Sequence, residues 1–216
     1  MTIEWFQYFQ LLSLLLAIVS SRGLMAWHIR GFIPLLVIIN VIEITGVNYK
    51  LFGWRNNYFL YNIYLLVNEI FLLYFFYRML VMDKRMREVY QIIGFLVIAF
   101  LLLNITLLEG FWKFNTYSLI LTQLINVVIS CIVLFQLVYS DDDSRILFKE
   151  PFFWINAGTL FFSLGTIVLF GLHRYIISNN IQIDHKSLYR ALSPILNVIL
   201  YTAWGYGFFQ CSRKLS

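Results

Sequence analysis

Two glutamates stand inside long apolar runs, where a carboxyl group could act as a general acid or base or relay a proton or cation. Glu69 falls near the middle of the run 58–80, and Glu43 lies a few residues from the middle of the run 31–47. A carboxylate inside hydrocarbon is costly, so such residues are functional-site candidates by default. No lysine or arginine occurs at a matching depth in the other runs. We therefore expect each carboxyl to be protonated, hydrogen-bonded to asparagines or exposed to water.

Amide and hydroxyl side chains recur at helical spacing in the same kind of run. Gln123, Asn126 and Ser130 are three and four residues apart, which places them on one helical face. Each amide could instead hold helices together through a cross-helix hydrogen bond, which contributes roughly 0.6–2 kcal/mol. For Glu69 a functional role and a structural hydrogen bond are both open. The candidate ligand-binding or relay residues are Glu69, Asn68, Glu43, Asn40, Asn126, Asn156, Asn197 and Tyr201.

Known catalytic and cofactor motifs are missing from the sequence. There is no HExxH, no glycine-rich phosphate loop and no Ser–His–Asp order, and Cys131 and Cys211 do not have the spacing of a metal or redox motif. We therefore expect no cofactor and no metal site, and we assign no catalytic residue. The acidic run 141–143 and the pair 184–185 are interpreted as surface loops. A retinal protein is excluded because the last apolar run, 189–210, contains no lysine.

The elements that must position these side chains follow from composition. Of the 216 residues, 61% are hydrophobic and only 12% are charged, about half the charged share of a soluble domain. A spanning helix needs about 20 predominantly apolar residues. The predicted spans are 3–20, 31–47, 58–80, 91–108, 116–139, 152–172 and 189–210. The sequence thus predicts an all-α polytopic membrane protein, with a seven-transmembrane-helix bundle as a single domain over 1–216.

Basic residues in the connections predict the orientation. Ten of the sixteen Lys and Arg fall on one side of the predicted bundle: Arg22, Arg30, Arg78, Lys84, Arg85, Arg87, Arg145, Lys149, Arg213 and Lys214. The richer side is cytoplasmic by the positive-inside rule, which gives an N-out, C-in chain. The net charge of +5 then reflects contact with membrane lipids rather than nucleic acid. We expect a multi-pass protein of the bacterial inner membrane.

Several short patterns resemble one group of membrane proteins. They are FWINAG at 153–158, LFFSLGT at 160–166, Asn68-Glu69, and Ile195-Leu196-Asn197. Together they resemble small uncharacterised seven-helix membrane proteins of Bacteroidetes-type bacteria. The resemblance implies a membrane module that works alongside signalling proteins such as histidine kinases.

Three functions are compatible with these features. The leading hypothesis is a receptor-like or sensory module that binds a small or lipid-like ligand and acts in signal transduction. It would couple to a separate protein partner, or to further copies of itself, through Lys84, Arg85 and Arg87. The second is an intramembrane lipid-modifying enzyme that uses Glu69 or Glu43 as general acid or base. The third is a proton or ion conduit, or a transporter subunit, with Glu69 as relay. We favour a non-enzymatic role.

Overall fold

Helices account for most of the chain. The computed structural model describes residues 2–139, 147–172, 182–183 and 186–213, so the predicted surface loops at 141–143 and 184–185 lie outside the described residues. The α-helices in the described part are α1 (Gln7–Val19), α2 (Ser21–Ala26), α3 (Phe32–Val47), α4 (Tyr58–Met79), α5 (Lys84–Leu103), α6 (Thr116–Val138), α7 (Pro151–Gly171) and α8 (Leu188–Arg213). The prediction of an all-helical architecture is confirmed for these residues.

Shorter elements connect the helices. A π-helical turn, Asn104–Leu108, continues α5, and 3₁₀ turns occupy Tyr49–Phe52 and Leu147–Lys149. Before α8, two residues of β1 (Gln182–Ile183) pair antiparallel with β2 (Lys186–Ser187). These connections are too small to form a second layer, so the helices alone build the core.

Three helices begin at residues suited to a helix N-terminus: two are capped by carboxylates and one begins with proline. The Asp83 carboxylate accepts a hydrogen bond of 2.7 Å from the Met86 N–H at the start of α5. The Glu109 carboxylate accepts the Thr116 and Tyr117 N–H groups at the start of α6, at 3.1 and 3.2 Å. Pro151 opens α7, where its missing N–H costs nothing. Each helix start is therefore specified locally by the sequence.

Four helices in the described part are long and apolar enough to cross a membrane: α4, α5 with its π-helical turn, α6 and α7. The prediction of apolar membrane helices is confirmed at this level. α1 and α3 are apolar but have 13 and 16 residues, and α8 has 26 residues but a more polar composition. Seven spans and the N-out orientation stay predictions. One boundary differs from the apolar run 91–108, because α5 already begins at Lys84 with an exposed basic turn.

Small residues bring α7 and α8 together in the most extensive helix pair of the described chain. A Cβ added at Gly158 would lie 2.6 Å from the Ala203 Cβ, and one added at Gly207 would lie 2.7 Å from Ile155. Such close approach is the usual way in which membrane helices gain packing energy. The α7–α8 contact therefore depends on glycine at these positions.

Aromatic rings fill the bundle near the start of α3. The Phe32 ring lies 4.8 Å from Phe71, 4.9 Å from Phe75, 5.0 Å from Trp204 and 5.3 Å from Phe208, measured between ring centroids. We call these five residues the Phe32 cluster. Three of the contacts are edge-to-face, an arrangement that adds about 0.5–1.5 kcal/mol per pair beyond buried area. The cluster joins α3, α4 and α8 at one end of the bundle.

We predict that Gly158→Ala lowers the free energy of unfolding by about 1–3 kcal/mol, because the Ala203 methyl has no rotamer by which to give way. Gly94→Ala is the matched control. Its new Cβ would meet only Leu73, at 3.8 Å, so this change should be neutral or stabilising by up to about 1 kcal/mol. Unfolding of both variants in mixed detergent micelles measures the difference. Equal effects at the two sites would contradict the close-contact interpretation.

Candidate functional site

A cavity of about 680 Å³ opens between the helices at the end of the bundle where α3 ends and α4 and α6 begin. Its aromatic lining residues are Tyr58, Tyr61, Tyr64, Phe114, Phe162 and Phe170. Its polar lining residues, apart from the tyrosines, are Glu43, Asn57, Asn62, Asn68, Asn115, Thr116, Gln123, Thr166, Ser193 and Asn197. Leu65, Leu119, Leu169 and Leu196 complete the lining among the described residues. Half of the twenty described lining residues are thus aromatic or leucine, and the other half are polar.

Glu43 is the one carboxyl in this lining within the described residues. The Tyr61 hydroxyl donates to Glu43 Oε2 at 3.3 Å, a long hydrogen bond. Gly46, one turn further along α3, leaves space for the Tyr61 hydroxyl, which would lie 3.1 Å from an added Cβ. Tyr64 and Tyr201 lie close enough to Glu43 to interact electrostatically with it. The hydroxyl of Tyr61 on α4 is therefore the group that hydrogen-bonds this carboxyl.

Asn62 fixes one side of the cavity mouth. Its Nδ2 donates to the Phe111 and Lys113 carbonyl oxygens at 2.9 and 2.8 Å, and its Oδ1 accepts from the Asn115 N–H at 3.3 Å. The α5–α6 connection is thereby tied to α4. Asn115 itself lines the cavity, so this clamp positions a lining residue.

Glu69 lies beside the floor of the cavity rather than in its lining. It is 1% exposed, and Asn126 Nδ2 donates to its Oε2 at 3.1 Å. Its neighbour Asn68 and Gln123, one turn from Asn126, both line the cavity. Neither Glu69 nor Glu43 contacts a basic side chain within the described residues. The structure thus brings Glu69 together with Asn126 in a second polar group beside the cavity.

The remaining sequence-predicted candidates have different surroundings. Asn156 Nδ2 donates across helices to the Ser130 carbonyl oxygen at 2.8 Å. Asn40 and Asn197 each donate to the carbonyl four residues earlier in their own helix, at 2.7 and 3.0 Å. Of these, Asn197 also lines the cavity. Tyr201 is buried beside Tyr64. Asn156 and Asn40 are therefore placed outside the lining.

Tyr64 and Asn62 were not among the candidates taken from the sequence. Both lie on α4, and Tyr61, Tyr64 and Asn68 follow each other at three and four residues on one helical face. Helical spacing from Asn68 could have indicated Tyr64. The role of Asn62 as a loop clamp has no sequence signal, because its partners are backbone atoms about fifty positions away.

The basic residues proposed to bind a partner lie at the other end of the bundle. Lys84, Arg85 and Arg87 form the exposed first turn of α5. Positive charge at a helix N-terminus is unfavourable, and the Asp83 cap offsets it. The Arg87 guanidinium also lies 5.9 Å from the centre of the Tyr77 ring. These three basic residues are thus separated from the cavity by most of the length of α4.

The comparisons with known proteins do not assign a function to the site. In the part of the chain that the structure describes, no three His, Cys, Asp or Glu side chains are close enough to hold a metal ion together. No protein-family model, no curated protein and no solved structure matches this chain. Its function must therefore be inferred from the geometry of the cavity and of the two carboxyl groups.

We predict that Glu69 and Asn126 are energetically coupled. In a double-mutant cycle with Glu69→Leu and Asn126→Leu, the interaction free energy should be roughly 0.6–2 kcal/mol, because each change removes one partner of the buried hydrogen bond. Unfolding in mixed micelles provides the four free energies. Asn40→Leu is the control, since Asn40 donates within its own helix and should not couple to Glu69. Coupling of equal size in both cycles would contradict the pairing.

Proposed function

We propose that this chain is a receptor-like module of the bacterial inner membrane, with seven spans, N-out and C-in, whose cavity binds a small or lipid-like ligand. The observation that carries the proposal is the cavity of about 680 Å³. Ligand pockets have volumes of about 300–1,000 Å³ and combine apolar and aromatic walls with a few polar groups. The volume lies in this range, and aromatic residues and leucines form half of the lining described above, while the other half is more polar than in such pockets.

Two helices connect the cavity with the opposite end of the bundle. α4 contributes Tyr61 and Asn68 to the cavity and Phe71 to the Phe32 cluster. α8 contributes Asn197 to the cavity and Trp204 to the cluster. A ligand that shifts either helix would change the packing of the cluster. This supports transmission to a partner at the basic turn formed by Lys84, Arg85 and Arg87.

The geometry argues against Glu69 as an acid, a base or a relay. A general acid or base must come within hydrogen-bond reach of its substrate, whereas Glu69 is buried against Asn126 and does not line the cavity, so the enzyme alternative depends on Glu43. A conduit needs a continuous path, whereas Phe32 and Phe208 are fully buried and Trp204 is 1% exposed below the cavity.

The proposal also includes a partner. The resemblance to uncharacterised seven-helix proteins of Bacteroidetes-type bacteria agrees with a signalling role. In the proposal, a separate protein or a second copy of the chain receives the signal.

The orientation predicts which surfaces are outside. In a variant with Cys131 and Cys211 replaced by serine, Lys113→Cys should react with a membrane-impermeant maleimide in intact cells, because it lies on the cavity side of the bundle. Arg85→Cys should react only after the membranes are opened. Labelling of both cysteines after permeabilisation is the control. Labelling of Arg85→Cys but not of Lys113→Cys in intact cells would contradict the predicted orientation.

We predict that native mass spectrometry of the gently extracted protein detects a bound small molecule or lipid. Leu119→Trp should weaken or displace it, because the larger ring takes up part of the cavity. Leu124→Trp is the matched control on the same helix, where the side chain is 47% exposed on the outer face. A ligand retained equally by both variants would place the binding elsewhere. An unliganded wild-type protein would contradict the proposed function.

A further inference from the structure

We propose that the ligand is an amine cation with an apolar body, whose ammonium group pairs with Glu43 while the aromatic rings enclose the rest. This inference rests on the proposed function, since it names the chemical class of the ligand that occupies the same cavity. The charge of the lining, its rings and its buried oxygen atoms each support it.

Charge is the first support. Glu43 is the one acidic side chain among the described lining residues, and no Lys, Arg or His belongs to that lining. The side chain is 9% exposed, so its ionised form has lost most of its hydration. A carboxylate in that position requires a cation or several hydrogen-bond donors. Within the described structure its hydrogen-bond donor is the Tyr61 hydroxyl at 3.3 Å, which leaves most of its acceptor capacity for a ligand.

The aromatic rings are the second support. Tyr58, Tyr61 and Tyr64 follow each other at three-residue spacing on the cavity side of α4. Opposite them, Phe114 lies 6.1 Å from Tyr58 and is stacked on Phe170 at 5.5 Å. Ring faces attract an ammonium group and also pack against an alkyl chain. An anion would be repelled by both the ring faces and the carboxylate.

Acceptor atoms at the floor are the third support. Asn68 Oδ1 and Gln123 Oε1 are buried without a hydrogen-bond partner within the described structure, and both residues line the cavity. An ammonium N–H can donate to such an oxygen once the amide rotates to turn it towards the cavity, whereas a carboxylate ligand cannot. An alkylammonium ion therefore satisfies the carboxyl, the rings and the amides together.

The test is equilibrium binding of three labelled probes that share the same length of alkyl chain and differ in their head group. Octylammonium, octanol and octanoate would be titrated into the full-length protein in zwitterionic lipid nanodiscs, with empty nanodiscs as background. We expect saturable binding of octylammonium. Glu43→Gln should weaken it by roughly 30-fold or more, because the amide removes the paired charge. Octanol should bind wild type and Glu43→Gln equally.

Two further variants keep the test independent of folding. Glu88→Gln changes an exposed carboxyl in α5 outside the lining and should leave octylammonium binding unchanged. Tyr58→Leu retains Glu43 but removes a ring, and should weaken octylammonium binding by about two- to fivefold. Unfolding curves verify that each variant is folded.

The outcomes separate this inference from the proposed function. Equal affinity for octylammonium and octanol, or preference for octanoate, would overturn the amine assignment, while loss of that binding in Leu119→Trp would preserve the cavity as a binding site. Absence of saturable octylammonium binding would overturn the assignment as well. In that case the native mass spectrum decides separately whether the cavity holds another ligand.

Discussion

The apolar outer surface of the helices constrains everything inside the bundle. Large hydrophobic side chains such as Phe95, Leu107 and Phe161 are 73%, 74% and 61% exposed, as expected of helices that are long and apolar enough to cross a membrane. Helices in hydrocarbon gain little by burying such side chains against each other, so close packing and interhelical hydrogen bonds must hold them together. The short approach at Gly158 and the amide of Asn126 serve these two purposes.

The two ends of the bundle differ in how densely they are packed. Rings fill one end, where Phe32 touches four aromatic partners. The other end is left open as the cavity, and the Glu69–Asn126 pair lies between them. α4 and α8 each contribute residues to both the cavity and the Phe32 cluster. They are therefore the elements by which a change at one end can reach the other. A bundle that is densely packed at one end and open at the other is better suited to binding a ligand than to conducting protons or ions.

Periodicity in the sequence was sufficient to predict the helices and their polar faces. Gln123, Asn126 and Ser130 are all buried on one side of α6, as their spacing indicated. The cavity could not be predicted, because it depends on which helices are neighbours and on the α5–α6 connection that Asn62 holds. For the same reason, depth along the sequence made both Glu69 and Glu43 candidates but could not distinguish them, whereas the structure places Glu43 and not Glu69 in the lining.

The two carboxyls differ in what lies in front of them. Glu69 Oε2 accepts from Asn126 of α6, its Oε1 is buried without a partner within the described structure, and the side chain does not line the cavity. Glu43 has a tyrosine at 3.3 Å and a cavity in front of it. A buried polar group with so little compensation weakens the fold unless something else contacts it. Since the lining rings can stabilise positive charge as well as apolar surface, the incomplete pairing of Glu43 in the cavity lining supports the proposed cationic ligand.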